Sequence, residues 1–244
     1  MQRSINSLTS FTMGATDGEI GKVKEFYFDD ETWAVRYLIV KTGSWLSGLK
    51  VLIAPQALLA PDWENEVFPI DLTKEQIKNS PDIDTDKPIS RRQEIELYGH
   101  YPWRSYWGSG FFAGGFGGYT SPAPLVDEEV IHETDTNENH ADEDPHLRST
   151  ERVSDYHIHA TDGDIGHVKD FIIDDETWKI TGLLIDTHNW IGGHKVLIPV
   201  RHISMIKWKD FKVFVDLSIE AIKDFEHFHE SELNEPVDTK GSIF

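Results

Sequence analysis

One phrase occurs twice in this chain: "ATDGEIGKVKEFYFDDETW" at residues 15–33 returns as "ATDGDIGHVKDFIIDDETW" at residues 160–178. A constant offset of 145 carries residues 15–81 onto residues 160–226 without a gap, and about 28 of the 67 pairs are identical. Trp45 meets Trp190, Gly48 meets Gly193, Trp63 meets Trp208, and "KVLI" at 50–53 meets "KVLI" at 195–198. Self-similarity at this spacing makes the chain a tandem of two like units rather than one large domain. A fold can be copied without any reacting group inside it, so the repeat speaks to architecture before chemistry.

Each unit reads as mostly strand. Thr16-Asp17-Gly18 and Thr161-Asp162-Gly163 are turn chemistry, in which glycine supplies the positive φ of a tight hairpin. Residues 21–28 are rich in Val, Phe and Tyr and predict a strand, and Asp29-Asp30-Glu31 predicts the next turn. From Trp33 the pattern predicts a third strand, with Trp33, Val35, Tyr37 and Ile39 on one face and Ala34, Arg36, Leu38 and Val40 on the other. Residues 50–54 predict a fourth strand, and residues 58–63 with 66–70 a hairpin around Glu64-Asn65. Thr73, with Gln76 three residues on, is the signature of a capped short helix; Ser218 is its counterpart in the second copy. Short strands with turns every 8–12 residues suggest a small barrel, which removes sheet edges.

The pattern "DG-x-IG-x-VK-x-F", then "DDETW", then "W-x-x-G-x-KVLI", resembles the PRC-barrel family, named for the cytoplasmic barrel of the photosynthetic reaction centre H subunit. The likeness spans residues from about 8 to 81 and again from about 153 to 226, and the segment "PISRRQEIELYGHYPWRSYW" at 88–107 is similar to an extension found in some members. It implies a mainly β fold of two six-stranded barrels, each followed by a short helix. It also implies a protein-binding or assembly role without a common catalytic site. Reaction-centre complexes and a ribosome-maturation factor are the family settings that suggest the two alternatives. One is a peripheral component of a membrane electron-transfer complex, and the other an RNA-processing adaptor. The expected organisation is a first barrel at 1–81, a helical and aromatic extension at 82–107, a flexible linker at 108–150, a second barrel at 151–230 and a tail at 231–244.

Charge restricts the partners. Against 23 basic side chains stand 43 acidic ones, a formal charge of -20 that repels phosphate backbones and anionic lipid surfaces. Direct nucleic-acid binding is therefore not expected; a protein partner, or pairing of the two barrels, is. The chain contains no cysteine, and residues 1–15 lack the apolar core of a secretory signal, which together point to the cytoplasm. Residues 105–126 carry no charge, but their six glycines and two prolines make a poor membrane helix, so no transmembrane segment is expected. The run "DEEVIHETDTNENHADED" at 127–144 reads as a solvated acidic spacer.

Few residues carry chemistry. The acids Asp17, Asp29, Asp30 and Glu31, with Asp162, Asp164, Asp174, Asp175 and Glu176 in the second copy, fit turn capping better than acid–base catalysis. The place of a third calcium ligand is taken by Gly166. His157 with His159, and His227 with His229, are spaced to share a strand face and are the candidate metal ligands. Their counterparts Thr12, Gly14, Asp82 and Asp84 show that the unit folds without them. Neither glycine-bearing loop has the ending of a phosphate cradle, and no Gly-x-Ser-x-Gly elbow occurs, so no enzyme activity and no cofactor are expected. Trp45 and Trp190, in the loops "GSWLSGLK" and "HNWIGGHK", and Trp63 and Trp208 are the candidate interface anchors.

Overall fold

The computed structural model describes residues 1–81, 83, 89–101, 103, 146–187 and 195–225. In chain order the elements are β1 (Gln2–Ser4), α1 (Ile5–Leu8), β2 (Thr12–Ala15), β3 (Gly18–Asp29), β4 (Val35–Thr42), β5 (Lys50–Ile53), β6 (Val67–Pro69), α2 (Lys74–Lys78) and α3 (Arg91–His100). The second copy supplies β7 (Leu147–Ser149), α4 (Thr150–Val153), β8 (His157–Ala160), β9 (Gly163–Asp174), β10 (Lys179–Asp186), β11 (Lys195–Pro199), β12 (Ile203–Lys207), β13 (Lys212–Val215) and α5 (Ile219–Lys223).

These strands form two sheets, in the orders β5-β4-β3-β2-β6 and β11-β10-β9-β8-β13-β12. Each is completed by one strand from the opposite half: β7 pairs with β3, and β1 with β9, both antiparallel. Among the described residues neither path returns to its first strand.

The turns and caps follow the sequence. Asp29 accepts hydrogen bonds from the backbone N–H groups of Glu31 and Thr32, and Asp174 does the same for Glu176 and Thr177. Asp17 and Asp162, in the first turn of each copy, reach across to accept from the N–H groups of Lys74 and Ile219. Each therefore ties a hairpin to the first residue of the helix that closes its unit. Thr73 and Gln76 make the expected capping box, and Ser218 caps α5. At Gly21 an added Cβ would lie 2.1 Å from the Lys41 carbonyl oxygen, and at Gly166 2.1 Å from that of Asp186, so in both units β3–β4 and β9–β10 approach too closely for any side chain.

Three expectations need correction. Trp33 and Trp178 do not begin strands: both take left-handed backbone conformations, φ 59° and 54°, and the strands start two residues and one residue later. Beyond them β4 shows no exposed face, for residues 35–40 are all buried. One reason is α3, whose Glu94 accepts a hydrogen bond from the Tyr37 hydroxyl at 2.7 Å and whose Tyr98 ring meets Tyr37 edge-on.

The other two corrections concern boundaries. Residues 2–4 belong to the second sheet rather than the first, and residues 147–149, placed in the linker, form β7 on the first. Three-residue strands without an apolar alternation leave no periodic signal, and they are held by side chains rather than by propensity. The linker from 104 to 145 and the tail from 226 lie outside the described residues.

The buried apolar side chains of both units form one continuous cluster. Phe28 of the first unit meets Phe171 of the second at 5.4 Å between ring centroids, and Phe26 stacks with Trp178 at 6.4 Å. The two halves are therefore joined through their cores as well as through their strands.

Candidate functional site: the seam between the two units

The strand exchange is built twice from equivalent residues. Arg3 of β1 donates from Nε to Asp175 at 2.6 Å, and Arg148 of β7 donates from Nε to Asp30 at 2.5 Å. Ser4 donates to Asp170, and Ser149 donates to Glu25 at 2.5 Å. Backbone bonds cross the seam in the same way: the N–H of Val35 reaches the Trp178 carbonyl and that of Ile180 reaches the Trp33 carbonyl, each at 2.8 Å. The left-handed turn residues thus aim one carbonyl from each unit into the other. Every pair obeys the offset of 145, so the seam has an internal pseudo-twofold relation.

Two of the four candidate anchors lie on this seam. The Arg3 guanidinium stands over the Trp63 ring, 3.5 Å from its centroid, and that of Arg148 lies 5.0 Å from the Trp208 ring. Such a seat adds cation–π attraction to the ion pair of each arginine. Trp45 is turned inward: its indole N–H donates to the Ile20 carbonyl at 2.6 Å, and the ring packs against the core of its own unit. Trp190 lies outside the described residues.

Burial dominates the electrostatics. Desolvation raises the carboxyl pKa of Glu25 despite the hydrogen bond from Ser149, and that of Asp170 despite bonds from Ser4 and the Asn6 backbone. It also raises that of Asp30, against the attraction of Arg148 and His146. Asp29 is shifted downward: burial opposes its ionisation, but bonds from Thr32 and the Arg36 guanidinium prevail.

One cleft, of about 650 Å³, opens at the seam. Its walls include Val35, Pro55, Leu58, Leu59 and Pro61 from the first unit, Tyr98 from α3, and Trp178 from the second. Two charged groups in its lining are already engaged, Arg36 with Asp29 and Asp175 with Arg3. The cleft departs from the twofold relation. The counterparts of Arg36, Tyr37 and Gln56 are Thr181, Gly182 and Arg201. At Gly182 a Cβ would fall 2.7 Å from the end of the Leu197 side chain and 3.0 Å from the Ile198 carbonyl oxygen, so a side chain at the place of Tyr37 would displace Leu197 in the second unit.

Of the candidate metal ligands, His159 pairs through Nδ1 with Asp164, whose two carboxylate oxygens also accept from Lys212 at 3.0 and 2.9 Å. His157 is exposed. Among the described residues no group of three or more His, Cys, Asp or Glu could hold a metal ion. His227 and His229 lie outside the described residues.

Sequence reasoning missed the exchange residues. Their signal was present, since Arg3-Ser4 and Arg148-Ser149 obey the same offset twelve residues ahead of the long match. Two matching letters amid ten or so changed ones are too few to extend a repeat unless the function of the residues is known.

Two homologous β-units, each completed by a strand from the other and sharing one core, define a tandem of paired small-barrel modules. The PRC-barrel domain profile matches residues 13–77 and 158–220, and the chain belongs to this family, in two tandem copies. No curated protein matches the chain. No helix among the described residues is long and apolar enough to cross a membrane.

Proposed function

We propose that this chain is a non-enzymatic, cytoplasmic protein-interaction module. Its two barrels act as one rigid body, and an apolar segment of another protein docks in the seam cleft. The observation that carries this reading is the cleft itself: leucine, proline and aromatic walls drawn from both barrels, beside an ion-paired arginine rather than a free acid–base pair. Such walls suit apolar side chains, and Trp178 and Tyr98 are the residue types that anchor protein interfaces. The acidic excess disfavours direct contact with RNA, which ranks the RNA-processing role lower. The reaction-centre role rests on kinship of fold alone.

The test places a photo-crosslinking residue at Leu59, which is 49% exposed at the cleft, in the full chain inside its native cell. A discrete protein adduct is expected, and it should disappear when Leu58→Asp puts a charge into the lining. An adduct pattern at Leu59 no different from that at the exposed Phe211, which is not among the lining residues, would refute docking in the cleft.

A further inference from the structure

The exchange surface does not specify which molecule supplies the strand. β1 and its receiving site on β9 meet through Arg3–Asp175, Ser4–Asp170 and three register pairs, Gln2↔Asp174, Arg3↔Ile173 and Ser4↔Ile172. The reciprocal set, Arg148–Asp30, Ser149–Glu25 and the pairs of β7 with β3, is complete in the same molecule. Within one chain these sets are linked covalently through residues 104–145, roughly 140 Å long if fully extended at about 3.4 Å per residue.

We propose that a second copy of this chain is a partner for the seam. The first barrel of each molecule locks onto the second barrel of the other through β1 and β7, giving a closed twofold dimer. Every non-covalent contact of the seam recurs in that dimer, because the two members of each contact come from opposite barrels whichever chain they belong to. The seat of Arg3 over Trp63 is internal to the first half and is kept in either arrangement. The tether alone distinguishes the two states. It holds the second barrel at a millimolar-range effective concentration, so the monomer prevails in dilute solution and the exchanged dimer at high concentration. Because leaving either state requires two strands to be peeled from their sheets, interconversion goes through unfolding.

A charge exchange tests this in the full chain. In the Arg3→Asp variant, the carboxylate introduced at position 3 faces the carboxylate of Asp175 within the molecule. In the Asp175→Arg variant, the guanidinium introduced at position 175 faces that of Arg3. Neither chain can form a complementary seam alone. Two different chains can, since the new carboxylate of one meets the new guanidinium of the other, while the native Arg3–Asp175 pair forms at the second seam. The two variants, carrying different affinity tags, are unfolded, mixed in equal amounts and refolded. The expected result is a species of twice the 27.9 kDa monomer mass that retains both tags, with a higher melting temperature than either variant refolded alone. The wild-type chain refolded at about 1 mM should likewise contain a several-fold larger dimer fraction than at about 1 μM. Co-refolding that yields only single-tag monomers, or a wild-type chain monomeric at both concentrations, would overturn the proposal. A cut linker whose halves still co-elute would separate that result from a failure of barrel pairing itself.

Discussion

Replacing Trp178 probes the seam most directly, because its side chain and its backbone make opposing contributions. The indole is partly buried, stacks with Phe26 and meets Phe68 edge-on at 5.7 Å, and both rings belong to the first barrel. Truncating a fully buried Trp to Ala costs about 3–5 kcal/mol, and partial burial brings the expectation for Trp178→Ala to about 3 kcal/mol. The φ of 54° is retained by alanine, at roughly 1–2 kcal/mol for a left-handed conformation. Glycine removes that strain but adds about 0.5–1 kcal/mol of chain entropy in the unfolded state. Trp178→Gly is therefore expected to be more stable than Trp178→Ala by about 0.5–1 kcal/mol, although it deletes more of the side chain. Urea unfolding of the full chain, with slopes compared to confirm that the transition remains two-state, measures both values. Glycine equal to or worse than alanine would refute the strain argument. A loss below about 1 kcal/mol for alanine would show that the ring does not join the barrels.

Other perturbations test the remaining contacts. Removing Arg148 leaves Asp30 buried without its main partner and should cost about 3 kcal/mol in thermal or chemical unfolding; Arg3→Ala should cost a similar amount, as the twofold relation requires. Specific cleavage of the linker between 104 and 145 should leave both halves eluting together on size exclusion, whereas separate elution would contradict a shared core. Gly21→Ala pushes a Cβ into the Lys41 carbonyl and should destabilise the chain by about 3 kcal/mol, measured by its melting temperature. The raised carboxyl groups at the seam also set a pH dependence. A folded-state pKa above the unfolded value means that the folded chain binds protons more tightly. Glu25 and Asp170 should therefore add stability as pH falls from neutral through their raised values, levelling near the ordinary carboxylate range of about pH 4. Below that range Asp29 and Asp174, whose pKa values are lowered chiefly by the hydrogen bonds from Thr32 and Thr177, become protonated and stability falls. Glu25→Gln should flatten the rise in unfolding free energy between neutral and mildly acidic pH; an unchanged profile would remove Glu25 as its source.

Local chemistry made much of the fold legible. The Asp-Asp-Glu turns and the Thr73 and Ser218 caps depend on contacts within a few residues, so their spacing carries the answer. The seam was not legible, because its parts are far apart in sequence and chemically ordinary. Arg3 and Asp175 are common residues whose pairing is defined by their meeting across 172 positions. The alternation from Trp33 misled for a related reason: the burial of both faces of β4 depends in part on α3, more than fifty residues downstream, and on the second barrel. The histidine pairs attracted notice because two histidines on one strand face suit a metal. His159, however, is occupied by Asp164, its neighbour on β9 of the same barrel.

The exchanged strands also set an order of events during synthesis. Residues 2–4 are made early, yet their partners at 172–174 follow some 170 residues later, about 10–30 seconds at 5–20 residues per second. Until residues 147–149 and Trp178 are made, the first barrel lacks β7 along β3 and the indole against Phe26 and Phe68, and the ladder groups of Phe28 and the backbone around it have no neighbour on that side. A nascent chain of this design therefore carries an open strand edge for the roughly 120 residues that separate β3 from β7. Neighbouring chains on one polysome, stalled at similar lengths, would present one another with the same edge and the same strand that fills it.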